Sequence, residues 1–241
     1  VAVWGAAREA SDDRTALFAA GTMAVMPLNA LAGTDARGYA IAIAGAAVAL
    51  WAAARARRTG SFAAWSLVAF AVALAAWAHM VAIVFALGLG CAWLVELLRR
   101  RNAAAGAGIV ALIGSAILTL VLYAPILPDI AALRRQFGAH DAGVPSLLGP
   151  ETWHALLGLG GAWTWWAAMP GFLLAGLGFL SLARHPALRP LVTAGLIGFP
   201  LAFALAAIGH SWLYARFLLF VLPALALLMG VGCEALARRR V

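Results

Sequence analysis

The sequence predicts an all-α protein: a polytopic transmembrane helical bundle of about eight spans, with a short helical segment on its outer face. Three observations predict it. The 241 residues are 65% hydrophobic and only 11% charged, against about 25% charged in soluble domains, and the mean hydropathy is +0.97. The apolar runs are continuous and rich in Ala and Leu, whereas outer-membrane strands alternate. All 17 basic residues are Arg, and most sit in short clusters between apolar runs. A net charge of +8 distributed this way follows the positive-inside pattern and argues against a nucleic-acid partner.

A span needs about 20 apolar residues. The first run covers residues 15–31 and ends near Pro27 and Asn29; the second covers 36–54 and stops at Arg55, Arg57 and Arg58. An unbroken apolar stretch then runs from Ser61 to Leu98 and is closed by Arg99, Arg100 and Arg101. It is too long for one span and has an Arg cluster at each end. The chain is therefore expected to cross and return, turning at Trp77-Ala78-His79-Met80, with spans at 62–77 and 80–98. A fifth span, 106–124, ends at Pro125, and a polar outer loop follows at 125–160. Spans at 163–182, 190–208 and 216–233 complete one transmembrane domain over residues 1–241, with Arg184 and Arg189 between the first two and Arg238 to Arg240 at the end.

This topology places thirteen Arg on one face and four (Arg37, Arg134, Arg135 and Arg216) on the other. The richer face is expected to be cytoplasmic, with both ends of the chain on it, in the inner (plasma) membrane. Trp51, Trp65 and Trp93 fall near inner span ends. Trp77, Trp163, Trp165, Trp166 and Trp212 fall near outer ones, as interfacial belts do. Within the outer loop, Pro128 suits a helix start. Ile126, Ile130, Leu133 and Phe137 then share one face opposite Arg134 and Arg135, the pattern of a helix lying on the membrane surface; a plain loop is the alternative. Cys91 and Cys233 lie in apolar runs and read as small core residues, with no metal-ligand spacing.

The polar residues that need a reason collect on the outer side: Asp35 and Arg37, His79, the loop residues His140, Asp141, Glu151 and His154, and then His210, Tyr214 and Arg216. Ionisable groups beside spans are functional candidates. Each has a plainer alternative. Asp35 and Arg37 make a solvated pair, His79 sits neutral at the interface, Arg216 snorkels to lipid, and the loop residues are surface. Glu96 beside Arg99 and Arg100, and Glu234 beside Arg238, read as helix-end pairs. No role is read for His185. Arginine binds phosphate in a bidentate manner and stays charged at any relevant pH. Two outward Arg at span ends therefore suit a lipid-linked phosphate, whose transfer chemistry also needs a carboxylate base on the acceptor.

Three stretches carry a family resemblance. Asp35-Ala36-Arg37-Gly38-Tyr39 is similar to the "E-A-R-x-Y" of polytopic C-type glycosyltransferases, the family of protein mannosyltransferase-like and aminoarabinose transferase-like enzymes, with Asp in place of Glu. The stretch around His79 resembles that family's "A-x-x-T-H-Y-x-A", without its Thr and Tyr. Tyr214, Arg216 and Pro223 match its late "Y-x-x-x-R-x-L-x-x-x-L-P-A-L". The resemblance implies transfer of a sugar from a polyprenyl-phosphate donor, on the outer face, to a glycan, lipid or protein acceptor. Arg37 and Arg216 would hold the donor phosphate, and Tyr39, His79 and Tyr214 would line the site. Arg37, His79 and Arg216 are then expected to line one outward cavity. The family's first spans have no counterpart here, so the chain is expected to be the carboxy-terminal part of such an enzyme. Its base would lie in the missing region, with Asp35 as a stand-in. The family can use a divalent metal; no ligand set or other cofactor site is visible in the sequence. A transporter or flippase of a lipid-linked substrate, and a non-catalytic membrane scaffold, are the rival classes. The first would show broken mid-membrane helices, repeats and buried charge pairs; the second would show no shared polar cavity.

Overall fold

The computed structural model describes residues 1–26, 29, 38–100, 102–129, 132, 164–208 and 215–238. They are all-helical: α1 Ala2–Ala10, α2 Asp13–Val25, α3 Tyr39–Thr59, α4 Phe62–Ala78, α5 Ile83–Arg100, α6 Ala103–Tyr123, α7 Thr164–Ser181, α8 Leu188–Ile208 and α9 Leu222–Arg238. Among the described residues five stretches are long and apolar enough to cross a membrane: Tyr39–Thr59, Met80–Arg100, Ala103–Asp129, Leu188–Ile208 and Leu218–Arg238. Phe62–Ala78 and Met169–Arg184 are apolar but shorter. At 13 residues, α2 spans about 20 Å at 1.5 Å per residue.

Several boundaries differ from the sequence reading, each for a local reason. α1 lies ahead of the first expected run. Its nine residues are too few to register as a span, yet Val3, Gly5, Ala6 and Ala7 bury one face. α2 starts at Asp13 because Asp12 caps it, its carboxylate accepting from the Thr15 N–H at 2.7 Å. α3 begins at Tyr39 and carries Arg57 and Arg58 in its last turn. Arginine is a good helix former and favours the negative end of the helix dipole. The stop is Gly60, at φ +67°, not the basic cluster. The α-helix of the expected fifth span, α6, ends at Tyr123 just before Pro125, as expected, but the span does not stop there. A 3₁₀ turn at Ala124–Ile126 takes the proline at its start, where its missing N–H costs nothing, and helix continues to Asp129. The last segment is two pieces, a 3₁₀ stretch Ala215–Val221 and then α9, with Pro223 in the first helical turn.

The interior is built from small residues. Apolar lipid tails give helices little hydrophobic reason to associate, so close packing has to hold them together. Gly45 of α3 lies on Ala71 and Ala75 of α4, and Gly88 of α5 lies on Ala194 and Gly198 of α8. Gly178 of α7 meets the Leu228 backbone, Gly232 of α9 meets the Leu174 backbone, and Gly230 meets Ala19 of α2. Larger side chains such as Trp93, Phe85, Phe220 and Leu227 fill the space between these contacts, while on α6 the bulky Val110, Ile113, Ile117, Leu120 and Val121 are exposed. α9 is the central helix, 83% buried over its span, while the Ala103–Asp129 span is 17% buried.

Trp65 and Trp93 are not in an interfacial belt. Both are buried and pack edge to face, with centroids 5.7 Å apart. Gly108 of α6 leaves the space that Trp93 fills. Trp77 is exposed at its helix end, as expected. Cys91 is exposed rather than in the core, and Cys233 is half-buried. Of the expected surface helix at 128–137 only residues 128, 129 and 132 are described, all of them helical; the outer tryptophans Trp163 and Trp212 lie outside the described residues.

Candidate functional site

The arginine-rich ends of the helices meet at one end of the bundle. Arg57 of α3 makes a double contact with Glu96 of α5 at 2.7 and 2.9 Å, and Asn102 donates to the same carboxylate at 2.7 Å. Glu96 is thus tied across the bundle to Arg57, a partner 39 residues away in sequence, where the sequence reading placed it beside Arg99 and Arg100. Glu9 of α1 pairs with Arg55 and Arg58 of α3. Arg238 reaches Asp12 at 3.4 Å and also pairs with Glu234 one turn earlier, as the sequence predicts. His185, between α7 and α8, shares a 2.8 Å hydrogen bond with the Ser11 hydroxyl and lies 3.8 Å from Glu234. The α1–α2 turn, the α7–α8 turn and the end of α9 are therefore clasped together.

Burial holds His185 below the usual histidine range; the Asp12 carboxylate opposes this, while Arg238 and Arg184 add to it. For Asp12 burial pushes upward, but hydrogen bonds from Thr15 and the charges of Arg238 and His185 outweigh it and hold the carboxyl below its ordinary value. No local pattern singles out His185, Ser11 or Asp12, because their partners are distant along the chain.

The opposite end carries the residues singled out on chemical grounds. α4 stops at Ala78, and His79 is extended at φ −152° and ψ 110° before a 3₁₀ turn at Met80–Ala82. The expected break in the long apolar stretch is at the expected residue. No Gly or Pro makes it. Instead the Tyr123 hydroxyl of α6 donates to the carbonyls of Ala76 and Trp77, at 2.9 and 3.3 Å. Its one proton is shared between two of the acceptors that a helix end leaves open, mainly on Ala76.

Gly38, which caps the start of α3 at φ +78°, lies against this turn. A Cβ there would stand 2.7 Å from the Ala78 carbonyl oxygen, so only glycine fits both the backbone conformation and the approach. Tyr39 follows and is buried; its ring lies 5.0 Å from the His79 ring, tilted by 33°. The 3₁₀ stretch Ala215–Val221 packs on both segments. Its Leu219 joins Tyr39, Ile43 and Leu222 in a small apolar cluster flanked by Met23 and Met26.

The structure thus brings Tyr39 and His79 together and sets the segment bearing Arg216 beside them. Asp35, Arg37 and Tyr214 lie outside the described residues, as do His140, Asp141, Glu151, His154 and His210, and Arg216 is described only as a member of the 3₁₀ stretch. Tyr123 was missed by the sequence reading. Its only signal was its place two residues ahead of Pro125. Among the described residues no three His, Cys, Asp or Glu side chains stand together as metal ligands.

The class that the fold defines is an α-helical membrane protein with its charged pairs gathered at one end. Comparison with protein-family models, with curated proteins and with solved structures gives no match.

Proposed function

We propose that this chain is the membrane bundle of a glycosyltransferase that uses a polyprenyl-phosphate sugar donor, working at the end opposite the arginine-rich one. One observation carries the reading. The three segments that resemble the C-type family, at Gly38–Tyr39, His79 and Ala215–Val221, are far apart in sequence and adjacent in space. Convergence of separately chosen segments at one depth is what a shared site requires.

In this reading the chain crosses the membrane eight times, with α2, α4 and α7 as the shorter crossings. The arginine-rich end is cytoplasmic. The donor phosphate lies between Arg37 and Arg216, its prenyl tail among the helices, and the sugar over the Tyr39–His79 pair. A carboxylate takes the proton of the acceptor hydroxyl, for which Asp35 is the candidate in this chain. The acceptor oxygen bonds to the anomeric carbon as the bond from that carbon to the phosphate oxygen breaks. The electron pair leaves on the phosphate, whose added charge the arginines stabilise.

The test uses the protein in liposomes with a radiolabelled polyprenyl-phosphate sugar and measures label transferred to water-soluble or lipid acceptors. Transfer that is lost in Arg37→Gln and Arg216→Gln is the expected result. Movement of intact donor across the bilayer without cleavage would overturn it in favour of a flippase. Neither transfer nor movement with any of a panel of donors would leave a scaffold.

A further inference from the structure

We propose that the groove between α1 and α3, at the arginine-rich end, is a binding site for the phosphate group of an anionic lipid. The groove's charged part lies at the other end of the bundle from the site above. It encloses about 430 Å³. Arg8, Arg55 and Arg58 form its mouth, with Trp4 and Trp51 on its walls. Gly5 faces Trp51, where a side chain would strike the indole at 2.7 Å, so the glycine keeps the groove's inner wall low.

The charge is arranged for an anion. Glu9, itself mostly buried, pairs with Arg55 at 3.6 Å and Arg58 at 2.5 Å, which fixes both heads at the mouth. Arg8 stacks over the Trp4 ring at 4.9 Å and pairs with the exposed Asp13 at 2.9 Å. Three guanidiniums are opposed by two carboxylates, Glu9 and Asp13, so the mouth keeps one net positive charge. Its arginines are about half exposed and therefore open to a ligand. Guanidinium geometry matches phosphate oxygens in pairs. Basic pockets among membrane helices are suited to anionic headgroups.

A lipid is favoured over free phosphate by what lies further in. A second cleft of about 350 Å³, lined by Met23, Ile43 and Ala47 among other apolar residues, adjoins the first at Val1. Along α3 the lining steps from Arg58 through Trp51 to Ala47 and Ile43. A charged groove thus lies beside a cleft that is apolar except for Asn29 and that reaches the Tyr39 cluster through Met23 and Ile43, an arrangement that fits a headgroup and its chain.

The experiment is native mass spectrometry of the detergent-purified protein titrated with phosphatidylglycerol or phosphatidylcholine. Wild type, Arg55→Gln/Arg58→Gln and Arg8→Gln are compared. Preferential retention of phosphatidylglycerol is expected, falling roughly tenfold for each arginine removed. The double variant strands Glu9 and risks misfolding; Arg8→Gln leaves only the exposed Asp13 without its partner and keeps the test decisive. Equal retention of both lipids, or unchanged retention in Arg8→Gln, overturns the proposal. Added inorganic phosphate separates the two sources: retention that survives millimolar phosphate assigns the site to lipid, and retention abolished by it overturns the lipid assignment.

Discussion

Gly38 and Gly60 bracket α3, and their replacement by alanine separates backbone strain from steric contact. Both sit at positive φ, +78° and +67°. Placing an L-residue there costs about 1 kcal/mol. Around Gly60 nothing lies within 4 Å of an added Cβ, so Gly60→Ala carries the strain alone. At Gly38 the Cβ meets the Ala78 carbonyl oxygen at 2.7 Å. That carbonyl belongs to a helix end held by Tyr123, so it has little freedom to retreat. Overpacking of this kind adds about 1–3 kcal/mol. Gly38→Ala should therefore destabilise by about 2–4 kcal/mol, against about 1 kcal/mol for Gly60→Ala. At about 2–4 °C per kcal/mol for a chain of this length, the two melting temperatures should differ by several degrees. Thermal melts in one detergent, followed by tryptophan fluorescence, measure the gap. Equal melting temperatures would refute the close approach of Gly38 to the His79 turn, and with it the assembly of that end of the bundle.

Three further outcomes are expected. Glu96→Gln should cost about 1–2 kcal/mol, since the Arg57–Glu96 pair is largely but not wholly shielded; in a double-mutant cycle with Arg57→Gln the two losses should be less than additive, and strict additivity would mean the pair contributes nothing. His185 is held below its ordinary value, so the unfolded chain takes up that proton first as pH falls. Stability should be flat above the unfolded histidine value and fall as pH drops through it towards the folded one. Melting temperatures across pH 5 to 8 should show this step in wild type (roughly the range histidine titrates in) and lack it in His185→Gln. Gly178→Ala drives a methyl into the Leu228 backbone and should lower stability by about 1–3 kcal/mol, whereas Gly176→Ala on the same helix, with open space around it, should not lower it.

Depth was legible in the sequence, and direction was not. Hydropathy and Arg clusters located the breaks at His79, at Arg99 to Asn102 and at His185 to within a few residues, because solvation acts on runs of residues. They did not say which side of a helix faces its neighbours. Trp65 and Trp93 have the right depth for a belt and the wrong azimuth. The Arg57–Glu96 pair and the Ser11–His185 bond join residues that only the packed bundle brings together. At the candidate site, Tyr39 and His79 were singled out from chemistry, and their 5.0 Å approach rests on Gly38, whose neighbour at Ala78 no local pattern reveals.

The inside-out packing has a consequence for how the chain tolerates change. Its alanines and glycines look like filler, yet they form the surfaces by which each helix finds its partner. The Leu, Ile and Val of α6 that dominate the hydropathy face outward and need only stay oily. In a saturation mutagenesis experiment the bulky apolar positions of α6 should interchange freely. Substitution at Ala19, Ala75, Ala194 or Ala224 by anything larger should be depleted. At these crossings the fold is specified by what a small side chain leaves room for.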